Sequence, residues 1–208
     1  MGSCISNNSE QLRSSSSAPV YPIENQVFQR VLATIPNQFR QEIANLPARE
    51  FLDAYEYHAI AVLNYQRKDY DLARLIETLA ISKLEILLPQ NKDHWIFMEL
   101  YKILATCAIL SAHVPTAIHA HQSVLHILMK YTPTDYVVIA EEYYKLSIIY
   151  KVFKDYRGSI DYLTRAIESA QSSEQADAEW IRTMEAKRQA LIQKDASNGA
   201  IRANQAVY

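Results

Sequence analysis

Residues 143–167 read YYKLSIIYKVFKDYRGSIDYLTRAI, and the pattern they carry is written twice more upstream. The anchor is the turn tripeptide Lys154-Asp155-Tyr156, matched by Ala112-His113-Val114 and Lys68-Asp69-Tyr70; Tyr70, Val114 and Tyr156 are 44 and then 42 residues apart. Thirteen residues before each anchor stands Tyr57, Tyr101 or Tyr143, ten before it Ile60, Leu104 or Leu146, and nine before it a small residue, Ala61, Ala105 or Ser147. Three after it the chain is small again, at Ala73, Ala117 and Ser159. Ten and eleven after it come Ala80-Ile81, Val124-Leu125 and Ala166-Ile167. Recurrence at such a period is the signature of stacked helical hairpins, in which each unit buries its apolar face against the next. Small residues at fixed places mark where two helices approach most closely.

These positions resemble the tetratricopeptide repeat, a pair of antiparallel helices with bulky, Leu, small and Tyr positions on helix A and Ala, aromatic, Ala on helix B. The resemblance covers residues 51–173. Tyr150 supplies the last helix A position only in the third unit, where the first two have Asn64 and Ala108, and the helix B aromatic is replaced by Glu77, His121 and Leu163. The long period is similar to that of the kinesin light chain variety, with helix B running on to Pro89 and Pro133. What this implies is an all-α, right-handed α-solenoid of about three hairpins with helical caps at both ends.

Composition agrees. Apolar residues make up 49% of the 208, and only 3 Gly and 7 Pro interrupt them. Val137-Val138-Ile139 and Ile148-Ile149 sit in 3.6-residue patterns, so no strand is expected. The domain reading is an anchor at 1–21, capping helices at 22–49, repeats at 50–173, a capping helix at 174–194 and a disordered tail at 195–208. Val27, Phe28, Val31, Leu32 and Ile35, then Phe39, Ile43 and Leu46, mark the first cap, with Pro36 and Pro47 as punctuation. Ala178, Ile181, Met184 and Leu191 mark the last.

A net charge of −2 removes the electrostatic motive for nucleic acid binding. Two cysteines form no disulfide framework, and Cys107, on an apolar helix, reads as a buried small hydrophobe. Four histidines lie between 113 and 126, but His121 is turned about 200° from His119 on a helix and His113 falls in a turn, so no metal or other cofactor is expected. No phosphate loop, nucleophile elbow or His-Glu-x-x-His motif appears, and Glu141-Glu142 diverge on a helix; the chain reads as no enzyme.

Met1-Gly2-Ser3-Cys4-Ile5-Ser6 fits N-myristoylation at Gly2. One acyl chain binds membranes weakly, and Cys4 resembles the second, palmitoylated site of dually acylated signalling proteins. Ser14–Ser17 supply a polar tether. A location at the cytoplasmic face of a membrane follows.

In repeats of this kind helix A lines the binding groove. The resemblance places there Tyr55, His58, Val62, Tyr65 and Gln66 in the first unit, Glu99, Lys102, Thr106, Ile109 and Leu110 in the second, and Glu141, Tyr144, Ile148, Lys151 and Val152 in the third. The Lys and Asn clamp by which chaperone-binding repeats hold a C-terminal carboxylate is absent: its places hold His58 with Val62, Lys102 with Thr106, and Tyr144 with Ile148. The expected ligand is a protein segment, extended or helical, with apolar anchors and a flanking charge. The reading is thus a non-enzymatic, lipid-anchored adaptor. The alternative is a regulatory or truncated module of a larger protein, soluble and serving self-association or substrate recruitment.

Overall fold

The three turn tripeptides hold the same backbone conformation. In the computed structural model, which describes residues 22–205, Lys68, Ala112 and Lys154 have φ of 66°, 55° and 62°, the left-handed region. Around each, the hydrogen bonds repeat. Asp69 N donates to Asn64 O at 3.0 Å, His113 N to Ala108 O at 2.7 Å, and Asp155 N to Tyr150 O at 3.0 Å. Lys68, Ala112 and Lys154 N donate three residues back, to Tyr65, Ile109 and Lys151 O. This is the Schellman closure of a helix, which satisfies the last carbonyls. Its final residue opens the next helix: the Asp69 and Asp155 carboxylates accept from Leu72 N at 3.2 Å and Gly158 N at 2.9 Å.

None of the three left-handed residues is glycine, so each turn stores side-chain strain. Lys68→Gly, Ala112→Gly and Lys154→Gly are each expected to raise stability by about 0.5–1 kcal/mol. Chemical denaturation of the single variants checks this, and a loss at any one would show that its side chain contributes more than its strain costs.

Nine helices and no strand occur among the described residues. The chain falls into two units, Met1–Arg49 and Glu50–Tyr208. The first contains α1 (Pro22–Thr34) and α2 (Asn37–Ala44). The Arg40 guanidinium donates to Ile35 O at 2.6 Å and Ala33 O at 2.8 Å, capping carbonyls that α1 leaves without helical partners. Phe28, Leu32 and Ile35, spaced as one helical face, are buried, as are Phe39 and Ile43; Val27 is exposed.

The second unit is built from α3 (Ala48–Gln66), α4 (Tyr70–Leu87), α5 (Ile96–Leu110), α6 (Val114–Tyr131), α7 (Tyr136–Val152), α8 (Tyr156–Gln171) and α9 (Ala178–Gln205). From α4 onward each helix packs mainly on its neighbours in sequence. The α3 helix is tied to α4 by side chains, including Lys83 Nζ 2.5 Å from Asp53 Oδ2 and 4.9 Å above the Tyr57 ring.

Small residues are buried at the equivalent positions of all three helix pairs, and α5 with α6 and α7 with α8 pack closely there. Ala61, Ala105, Ser147, Ala73, Ala117, Ser159, Ala80, Val124 and Ala166 are each 3% exposed or less. Where two of them are serines, the hydroxyl is satisfied across the hairpin: Ser159 Oγ donates to Ser147 O at 2.8 Å. Gly158 has a specific cause as well. A Cβ there would stand 2.5 Å from Tyr150 Cδ1, and the Tyr150 ring occupies that space while stacking on Tyr162 at 5.1 Å.

One boundary differs from the sequence reading. The last helix begins at Ala178, where the Asp177 carboxylate accepts from Glu179 N at 2.9 Å, and it continues past Lys194 to Gln205. Ser197-Asn198-Gly199 does not end it. A single Gly costs a helix about 1 kcal/mol, and the neighbouring Ala196, Ala200 and Ala203 are strong helix formers with no proline nearby.

Candidate functional site

The first-unit positions expected in a groove are occupied by contacts within the protein. Half-buried Tyr55 lies between the rings of Phe51, 6.0 Å away, and His58, 5.5 Å away. Burial foremost, then the charges of Glu77 and Glu99, pushes the Tyr55 phenol above its ordinary pKa. His58 Nδ1 sits 2.8 and 3.1 Å from the two Glu77 carboxylate oxygens, and Tyr65 packs on Tyr70 at 5.9 Å. On α5, Lys102 Nζ pairs with Glu99 at 2.9 Å, and Thr106 Oγ1 donates to Lys102 O at 2.9 Å.

Two clefts form further along, and the third-unit positions line both. One, of about 240 Å³, lies between the α5–α6 turn and the end of α7. Its floor is Ala108, Ala117 and Ile149, all buried; its walls are Ile109, Ile148, Val152 and Phe153, all exposed, with Lys145 as its only charged group. Phe153 and Lys145 join residues that the repeat register had placed here. Four large apolar side chains open to water around one depression are the usual mark of a contact surface.

The other cleft, of about 460 Å³, separates α7 from α9 over a floor of Ser159 and Leu163 on α8. Tyr144, Ser147, Ile148 and Lys151 face it from α7, and Lys187, Ala190, Leu191 and Lys194 from α9. The spacing is the same on both helices, three to four residues per step, so each presents one face to the cleft. Tyr144 carries two contacts with α9: its ring meets Trp180 edge-on at 6.4 Å, and the Lys187 ammonium donates to its hydroxyl. Tyr55, His58, Tyr65, Lys102, Thr106 and Glu141 line neither cleft.

A larger depression of about 530 Å³ lies beside α6, lined by Tyr101, His119, His126 and the 89–93 loop. Its charges are already paired: Asp93 holds Lys130 at 2.8 Å and His126 at 3.3 Å, and the Lys130 hydrogen bond is the main cause that draws the Asp93 carboxyl below its ordinary pKa.

Two buried carboxylates were missed as pairs. Glu77 is fully buried at the helix B aromatic position and burial raises its pKa, against the lowering effect of His58. Glu142 has the opposite balance. Burial works to raise it, but hydrogen bonds from His121, at 2.8 Å, and Lys145, at 2.5 Å, outweigh burial and leave its pKa lowered. Cys107 is buried, and that burial first, with the Glu77 charge, pushes its thiol up to about 11, so it stays protonated at neutral pH.

The histidines of α6 and its turn point to separate partners. His113 meets Thr116 Oγ1 at 2.7 Å, His119 packs edge-on against Tyr101, His121 holds Glu142 and His126 reaches Asp93. Among the described residues no three His, Cys, Asp or Glu side chains are grouped to hold a metal. No helix of the described residues is long and apolar enough to cross a membrane. Gly2 and Cys4 lie outside the described residues. No protein-family model matches the chain, and no curated protein matches it.

Proposed function

We propose that the chain is a tetratricopeptide-type module, a right-handed α-solenoid of about three hairpins, that binds a protein segment rather than catalysing a reaction. The observation that carries this reading is the apolar cleft walled by exposed Ile109, Ile148, Val152 and Phe153. Three turns of one geometry, small residues buried at equivalent places and neighbour-to-neighbour packing support the architecture. A helix with apolar residues on one face, or an extended segment with alternate apolar residues, suits such a cleft. The acylation motif at Gly2 and Cys4 adds the proposal that the module acts at the cytoplasmic face of a membrane.

Selection of a peptide library on the full chain tests the binding reading. Selected peptides should lose affinity for Ile109→Asp and Phe153→Asp variants that melt cooperatively, as the parent does; binders indifferent to both substitutions would sink it. Mass spectrometry of protein expressed in eukaryotic cells, with membrane fractionation of Gly2→Ala and Cys4→Ser variants, tests the anchor separately.

A further inference from the structure

Three ammonium groups, those of Lys151, Lys187 and Lys194, line the α7–α9 cleft, and none of them has a carboxylate partner among the described residues. Lys187 donates to the Tyr144 hydroxyl, a neutral partner, and Lys194 Nζ lies 5.1 Å above the Tyr156 ring. Such contacts orient an ammonium without neutralising it. Elsewhere on this unit Lys83, Lys92, Lys102, Lys130 and Lys145 pair with Asp53, Glu85, Glu99, Asp93 and Glu142, whereas exposed Lys68 and Lys154, in the turns, have no such pair among the described residues but line none of the clefts described above. In a chain of net charge −2, three uncompensated positive charges around one depression are a local feature and not a consequence of composition.

We infer that this cleft is a subsite for the carboxylates of an acidic protein segment, with Lys151, Lys187 and Lys194 as its ligands. The inference rests on the peptide-binding reading above and names the chemistry of the partner. Charge complementarity selects the sign, and Leu163 on the floor with Leu191 on the α9 wall suits the methylene stems of Glu better than a phosphate backbone. The lysines stand on opposite walls of a cleft and not on one flat face, which favours a peptide inserted between the helices over a membrane surface. Ile148 lines both clefts, so a segment with apolar anchors in one and acidic residues in the other would lie continuously across α7.

The test is an amide-resolved NMR titration of the full chain with a short oligoglutamate and with oligoglutamine of the same length, at low salt. Oligoglutamate should shift α7 and α9 amides around the three lysines, oligoglutamine should not, and added salt should weaken the effect. A Lys151→Gln/Lys187→Gln/Lys194→Gln variant should bind about 10–100-fold more weakly, while Lys68→Gln/Lys92→Gln/Lys154→Gln, with the same change in net charge, should bind as the parent does. Equal losses in both triple variants, or shifts elsewhere or nowhere, would overturn the inference. So would phosphatidylserine vesicles engaging these lysines where oligoglutamate does not. If library-selected partners depend on Ile109 and Phe153 but ignore the lysine triple, the inference alone fails. If oligoglutamate docks on the lysines and no partner uses the apolar cleft, the function proposed above fails alone.

Discussion

A His58→Leu variant is expected to lose about 3 kcal/mol, because it strands the Glu77 carboxylate in the α3–α4 interior with no partner. The His58→Leu/Glu77→Leu double variant should recover most of that loss, since removing both polar groups leaves nothing unsatisfied. Urea unfolding of the four-member cycle at neutral pH measures the coupling directly. A double variant as unstable as the single one would mean that the pair acts through shape and not through charge. Acid gives a second readout of opposite sign at the two buried carboxylates. Because the Glu77 pKa is raised in the fold, its protonated form is favoured there; the stability this gives is present below the unfolded value, near 4.5, and is lost as pH rises through the folded one. Glu142 is lowered, so its contribution is present above that value and is lost as pH falls through the folded one. Relative to the parent, Glu77→Gln should therefore gain as pH rises from 4.5 through the folded Glu77 value, whereas Glu142→Gln should lose as pH rises through the folded Glu142 value toward 4.5 and stay level above it. The His58→Leu deficit should shrink in acid as Glu77 takes up its proton.

The second large effect is steric. Ala117 is 1% exposed on the α6 face that closes against Ala108 and Ile149, where the three form one buried cluster. Leucine has no room there, and Ala117→Leu should cost about 3 kcal/mol through displaced backbone and off-rotamer side chains. The same substitution at exposed Ala59 should stay within about 0.5 kcal/mol. Calorimetric melting of the two variants checks the contrast, at about 2–4 °C per kcal/mol for a chain of this size. Equal melting temperatures would mean that the hairpin is looser than its small residues indicate. Because Ala117 also floors the apolar cleft, any Ala117→Leu protein that folds should bind selected peptides less well.

Hairpin positions were legible because sterics restrict them in all three units at once. The spacing from Tyr57, Tyr101 and Tyr143 to the turns, and the small residues after them, come from helix contacts that repeat. The site was legible only in part. Ile109, Ile148, Lys151 and Val152 follow from repeat register, whereas His58 looked available to a ligand because its partner, Glu77, lies 19 residues away on another helix. Lys187 and Lys194 carried no signal of their own. On a single amphipathic helix they are solvating charges; only the placement of α7 and α9 on either side of α8 makes them face Lys151 across a cleft. The left-handed turns were found by position and not by composition, since none carries the glycine that usually marks them.

Neighbour-to-neighbour packing has a kinetic side. When helices touch mainly those next to them in sequence, little loop entropy is spent before a contact forms, so the low contact order of the α4–α9 segment makes for rapid folding. The same arrangement leaves the ends free to open without the middle, α9 first, as it rests mainly on α8, with Tyr144 as its contact on α7. A bound segment crossing α5, α7 and α9 would connect helices that pack mainly on other neighbours, and it would add a restraint spanning several of them at once. Hydrogen exchange along α9 would then slow on binding even at amides the ligand never touches.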